Sequence, residues 1–338
     1  MSSQRSALLR WMLRSAATLF LGSWVLLGWR LIVPPVTIPL PANPAFDMVL
    51  CARGRLDHAG PRGSCEVGEF WIDRFEVTCS DYAEWLRVHP ERVDVTRGLT
   101  PEQLALTPDQ PVTRVCIKEA EAFAASRGKR LPSLMEWEWA ATGPRNRRYP
   151  WGDAEPLAVP ANLSESGLAA LAPVGTFEGG RSEFGAYDLA GNAAEWTHST
   201  WGGAVGQRYF AKGGSYLDAL RDRSSGVSAL DSFRPEDAAW QPVEGRLFEA
   251  GAWSSDIGFR CVLDVAAVQE DQALREAAQG LGARDPWGWF FEHRPALAHL
   301  RSAGERALPY LVAAMDVDDG AVAETARRLA AEIRGSVR

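Results

Sequence analysis

The sequence predicts an α+β fold with little regular secondary structure, preceded by a transmembrane helix and followed by a helical segment. Three observations predict it. Residues 15–33 are apolar around the whole helical circumference and follow a basic flank. Residues 149–264 are dense in glycine, aromatic and turn residues with only brief strands between them, and from Val265 onward alanine- and leucine-rich segments repeat at 3.6 residues. With 46% hydrophobic and 23% charged residues in 338, the chain has the composition of a globular protein of two domains at about 150 residues each. Its net charge of −7 excludes nucleic-acid binding that rests on a basic field.

In chain order, residues 1–14 read as a cytoplasmic basic tail containing Arg5, Arg10 and Arg14. Residues 15–33 read as a signal anchor long enough to span a bilayer, with Arg30 near enough to its end to reach the headgroups. Residues 34–45 are a linker with Pro34, Pro35, Pro39, Pro41 and Pro44. The basic flank predicts that the rest of the chain is periplasmic or extracellular, with the membrane as a partner; a cleaved secretory signal is the alternative. Glu69–Thr78 reads as a strand, followed by a helix in which Tyr82, Trp85 and Leu86 share a face. Thr100-Pro101-Glu102-Gln103 and Ser133-Leu134-Met135-Glu136 are capping boxes that open two more helices, the second ending at Gly143. Leu308, Leu311, Val312 and Met315 form one apolar stripe and Val322, Ala326, Leu329 and Ile333 the next, across an Asp318-Asp319-Gly320 turn. That is a helical hairpin, and residues 265–338 resemble a single HEAT repeat, a docking element.

Five cysteines, Cys51, Cys65, Cys79, Cys116 and Cys261, occur without any C-x-x-C pair, so no zinc ribbon or thioredoxin-type site is written here. Some would pair outside the cytoplasm; the other reading is that they are small buried hydrophobes.

Seven segments, DMVL (47–50), FWIDRFEVT (70–78), GKRLPSLMEWEWAA (128–141), YPWGD (149–153), AYDLAGNAAEW (186–196), AKGGSY (211–216) and IGFRCVL (257–263), together resemble the sulfatase-modifying factor family, founded on the formylglycine-generating enzyme. The resemblance covers residues 46–264 and implies a compact α+β domain related to the C-type lectin fold. It also implies an oxidase in which two cysteines after the GGS motif hold copper(I), a soft ion suited to thiolates. Those two positions fall on Asp218 and Arg223, so copper is not expected. The family tryptophan before the glutamate of its GN-x-W-E-W motif is Ala194 here, while Ser215 keeps the pocket serine. The partner of the GFRC cysteine is replaced by Ala124, leaving Cys116 as a substitute for Cys261.

The same resemblance implies calcium in the loop Asp188–Glu195, with ligands Asp188, Gly191, Ala193 and Glu195. A second calcium site retains Asn162 and the Leu163 carbonyl, but its acid falls near Ser166. His198 follows Glu195-Trp196 and reads as a surface or packing residue. An ergothioneine-synthase-like iron oxygenase on this fold would need a companion helical domain with a histidine triad, which the sequence does not show. The expectation is therefore a membrane-anchored, externally facing pseudoenzyme that binds a peptide, glycan or protein partner, with no catalytic residues in the degenerate pocket of Ser215, Asp218, Arg223 and Ala194. The alternative is an oxidoreductase of the formylglycine-generating type, or another enzyme with repurposed chemistry in which Asp218, Asp222 and Arg223 supply acid–base or electrostatic groups.

Overall fold

The computed structural model describes residues 47–57, 64–153, 158–201, 207–220, 246–281 and 293–335, divided into two compact units at Val268. In the first unit, β1 (Met48–Cys51), β4 (Phe70–Asp73) and β9 (Val262–Asp264) form an antiparallel sheet in the order β1-β4-β9. β2 (Gly54–Asp57) and β3 (Ser64–Val67) form a separate antiparallel pair. The sheet that carries the site runs β7-β6-β5-β8, from β5 (Ala194–Trp201), β6 (Arg208–Lys212), β7 (Arg246–Phe248) and β8 (Ile257–Gly258). β8 joins it in parallel through Ala194↔Ile257 and Glu195↔Gly258.

Four helices pack beside these strands: α1 (Cys79–Val88), the single turn α2 (Pro101–Leu104), α3 (Ile117–Ser126) and α4 (Leu134–Thr142). The starts of α2 and α4 were legible. Thr100 accepts from the Gln103 N–H, and Ser133 and Glu136 form a reciprocal capping box. The strand expected over Glu69–Thr78 covers only Phe70–Asp73: the chain bends at Arg74 and Phe75, and Thr78 caps α1 in a reciprocal box with Asp81. Tyr82, Trp85 and Leu86 do share a buried face, packed with Phe123, Phe259 and Trp196; a second core gathers Trp137 and Trp139 against Phe70, Ile72 and Leu56.

All five cysteines are free thiols, with Cys51, Cys79 and Cys261 buried. Cys116 does not substitute as the partner of Cys261: it caps α3 opposite Glu119, while Cys261 lies beside Asp73 at the end of β4.

The helical core of the C-terminal part lies in α5 (Val265–Leu281), α6 (His293–Ala303), α7 (Leu308–Met315) and α8 (Gly320–Gly335). The predicted hairpin is α7–α8, opened by Asp319, whose carboxylate accepts from the Ala321 and Val322 N–H groups at 3.0 and 3.1 Å. Val322, Ala326, Leu329 and Ile333 are buried as expected. On α7 the stripe is rotated: Tyr310, Leu311 and Ala314 face inward and Val312 is 44% exposed. Leu274, Ala278, Leu281 and Leu300 of α5 and α6 complete this core, which supplies the neighbours that a lone repeat lacks.

The transmembrane expectation is corrected. Among the described residues no helix is long and apolar enough to cross a membrane. The longest, α5, buries only one face and carries Glu270, Asp271, Arg275 and Glu276. Residues 15–33 themselves lie outside the described residues, as do the basic tail and linker. Neither the signal anchor nor the membrane partner and externally facing location drawn from it is carried further.

Candidate functional site

β6 runs into Gly213-Gly214-Ser215, and both glycines take positive φ, 92° and 65°. A side chain at Gly213 would come within 3.1 Å of Trp137, so the turn needs its glycine for close packing as well as for its dihedrals. The Gly213 carbonyl accepts from the Gly191 N–H at 2.9 Å, and the Tyr216 N–H donates to the Asn192 carbonyl at 3.0 Å. These bonds dock the serine turn on the Asp188–Glu195 loop.

Ser215 is fully buried and sits at the centre of a charged cluster. Its Oγ lies 3.0 Å from Asp218 Oδ2 and 2.8 Å from Asp256 Oδ2, and its backbone N–H donates to Asp218 Oδ2 at 2.7 Å. Arg246, at the start of β7, donates Nη2 to Asp218 at 2.8 Å and to Ser215 Oγ at 3.1 Å, and pairs Nη1 with Asp256 at 2.6 Å. Arg246 and Asp218 are 26% and 18% exposed, so the cluster opens to solvent on their side and is closed on the side of Asp256, 2% exposed. Burial pushes the Asp256 carboxyl up, but hydrogen bonds from Ser254 and Arg246 and the guanidinium charge outweigh it and hold the group below the usual carboxylate range.

Of the four residues of the expected pocket, Ser215 and Asp218 meet. Ala194 is buried in the adjoining core, its N–H donating to the Asp256 carbonyl at 2.9 Å. Arg223, like Asp222, lies outside the described residues. Arg246 and Asp256 were missed. Arg246 stands alone in its stretch of sequence; the only local signal for Asp256 is the Ser254-x-Asp256 pair, closed by a short hydrogen bond, just before IGFRC. His198 is exposed on β5.

Behind the cluster lies a buried network where the resemblance places calcium. Arg260 and Glu195 are both fully buried and paired: Nε reaches Oε2 at 2.7 Å and Nη2 reaches Oε1 at 2.6 Å, while Trp137 Nε1 donates to Oε2 at 2.8 Å. Arg260 also donates to the carbonyls of Asp73, Arg74 and Tyr187. Glu76 accepts from Asn192 Nδ2 at 2.7 Å and from the Ala193 N–H at 2.9 Å. Burial, and then the charges of Asp188 and Glu195, push the Glu76 carboxyl well up. Asp188 Oδ2 accepts from the Gly175 N–H at 2.6 Å.

Asp188, Gly191, Ala193 and Glu195 therefore do not fit a calcium ion, because the Glu195 oxygens are already spent on a guanidinium and an indole. At the second expected site Asn162 Oδ1 accepts from Ser166, Asn162 Nδ2 donates to Ala170 and Asn192, and the Leu163 carbonyl accepts from the Ser166 N–H. Both groups are thus engaged in hydrogen bonds within the loop. The serine turn offers hydroxyl and carboxylate oxygens where copper(I) wants sulfur. Among the described residues no group of three or more His, Cys, Asp or Glu side chains is placed to hold a metal.

Residues 38–265 match the sulfatase-modifying factor enzyme 1-like domain family. The chain is 43% identical over 171 residues to a hercynine oxygenase of Mycolicibacterium thermoresistibile, 45% of this chain and 37% of that relative. It is 28% identical over 303 residues to the inactive C-alpha-formylglycine-generating enzyme 2 of Bos taurus, 74% of this chain and 94% of the relative. The structure of PvdO from Pseudomonas aeruginosa superposes with a TM-score of 0.51 at 18% identity, over 69% of this chain and all of that one, a likeness of fold alone. The chain spans less than two fifths of the hercynine oxygenase. The non-catalytic, pseudoenzyme expectation is contradicted by the likeness to relatives named hercynine oxygenases.

Proposed function

The chain belongs to the sulfatase-modifying factor enzyme 1-like family, and on that premise we propose that it is an enzyme of oxidoreductase type, with dioxygen as the oxidant, in which carboxylate, hydroxyl and guanidinium groups of the pocket bind the substrate and handle its proton. The observation that carries the reading is the partly open Ser215–Asp218–Arg246–Asp256 cluster at the GGS turn. Asp256, kept ionised, anchors the Ser215 hydroxyl and the Arg246 guanidinium from behind. Arg246 presents a fixed positive charge toward solvent, and Asp218 is the carboxylate within reach of a substrate proton. Likeness to hercynine oxygenases supports the oxidoreductase class.

The test is substrate-dependent oxygen uptake by the full chain, with iron(II) supplied, using hercynine and separately a cysteine-containing sulfatase peptide. Uptake is expected with one of them and falls by about a hundredfold or more in Asp218→Asn and Arg246→Met, the size of a lost acid–base group. No uptake with either substrate, or equal rates in the variants, refutes the proposal.

A further inference from the structure

The donors around Asp218 converge on one oxygen. Asp218 Oδ2 receives the Ser215 backbone N–H at 2.7 Å and Arg246 Nη2 at 2.8 Å, with the Ser215 hydroxyl at 3.0 Å. A hydroxyl has one proton, and the Ser215 Oγ lies nearer to Asp256, at 2.8 Å, so Asp218 holds two full donors and a share of a third. A backbone N–H beside a guanidinium is an arrangement that binds carboxylates from solution. Here the chain supplies the carboxylate itself, on a side chain 18% exposed at the mouth of the cluster.

Asp256 already neutralises Arg246 from the buried side through Nη1. The carboxylate on Nη2 is therefore the exchangeable one: a ligand carboxylate taking the place of Asp218 keeps Arg246 paired on both sides. Leu217, next to Asp218, is 59% exposed, and Trp253, three residues before Asp256, is 49% exposed. Successive Cα atoms are about 3.8 Å apart, so the Cα atoms of Leu217 and Trp253 lie within roughly a dozen ångströms of those of Asp218 and Asp256.

We propose that the Ser215 N–H and Arg246 form a carboxylate subsite which Asp218 occupies as an internal stand-in, and that a substrate carboxylate enters by displacing it, which frees Asp218 to act on the substrate proton. This rests on the enzyme reading for its biological meaning, but its test measures binding without turnover.

The full chain carrying Asp218→Ala is titrated with formate, acetate and inorganic phosphate, against chloride at matched ionic strength, by thermal shift and calorimetry. Acetate and formate are expected to raise the melting temperature of the variant saturably and to leave wild type unmoved. Adding Arg246→Met to the variant should abolish the response. Asp218→Asn, which keeps the shape and removes the charge, is the second variant should alanine not fold, and is expected to bind acetate at least tenfold more tightly than wild type. Absence of saturable binding in whichever variant folds overturns the subsite, as does an equal response without Arg246. A response to phosphate alone overturns the carboxylate assignment. Failure of oxygen uptake with intact acetate binding would remove the oxidoreductase reading and leave the subsite.

Discussion

Asp188→Asn probes the buried carboxylates most directly. Asp188 sits at φ 56°, a left-handed conformation that asparagine adopts as readily, and its bond from the Gly175 N–H at 2.6 Å can be kept by an amide oxygen. Burial pushes the Asp188 carboxyl up from 3.8 to about 6; the Gly175 hydrogen bond and the Arg260 charge pull it back, and Glu195 adds to the rise. A rise of about two units corresponds to about 3 kcal/mol between the protonated and ionised forms. A carboxyl whose folded pKa is raised binds its proton more tightly in the folded state. Wild type is therefore most stable below the unfolded value and loses stability as pH climbs through about 6. Asparagine has no charge to desolvate, so the variant should match wild type near pH 4 and exceed it by about 1–3 kcal/mol near pH 8. Urea denaturation across that range, at unchanged slope, measures the difference. A variant less stable than wild type at the alkaline end would refute the reasoning, as would a calcium-dependent gain in wild type that asparagine abolishes.

Three further outcomes follow from the same contacts. Arg260→Met leaves Glu195 buried without its cation and should cost about 3–5 kcal/mol in urea denaturation; a cost under about 1 kcal/mol would mean that the ion pair is not formed. Gly191→Ala places a Cβ 2.3 Å from the Asn162 carbonyl at φ 80° and should lower stability by about 2–4 kcal/mol, seen as a clear drop in melting temperature; an unchanged melting curve sinks it. Calcium added to chelated protein should leave the melting temperature unmoved, whereas a site filled at a hundredfold excess over its Kd would add about 2.7 kcal/mol.

What the sequence determined is what neighbours along the chain decide. Thr100 and Ser133 cap the helices they precede because the oxygen that satisfies a free N–H is three residues away. The α7–α8 hairpin follows from a 3.6-residue stripe and an Asp319 cap, and the glycine turn before Ser215 is written in the GGS motif. Seven short segments were enough to show the family. Tertiary structure decided which charges meet. Arg246 reaches Asp218 across 28 positions, Asp256 reaches Ser215 across 41, and Arg260 reaches Glu195 across 65. No local pattern marks such pairs, because an ion pair depends on distance through the folded molecule and not along the chain. The same holds for Glu195, a calcium ligand by motif, whose oxygens the fold gives to Arg260 and Trp137. Packing also rotated α7 so that Tyr310, rather than Val312, is buried, since the core of four helices, not the hairpin alone, sets which face turns inward.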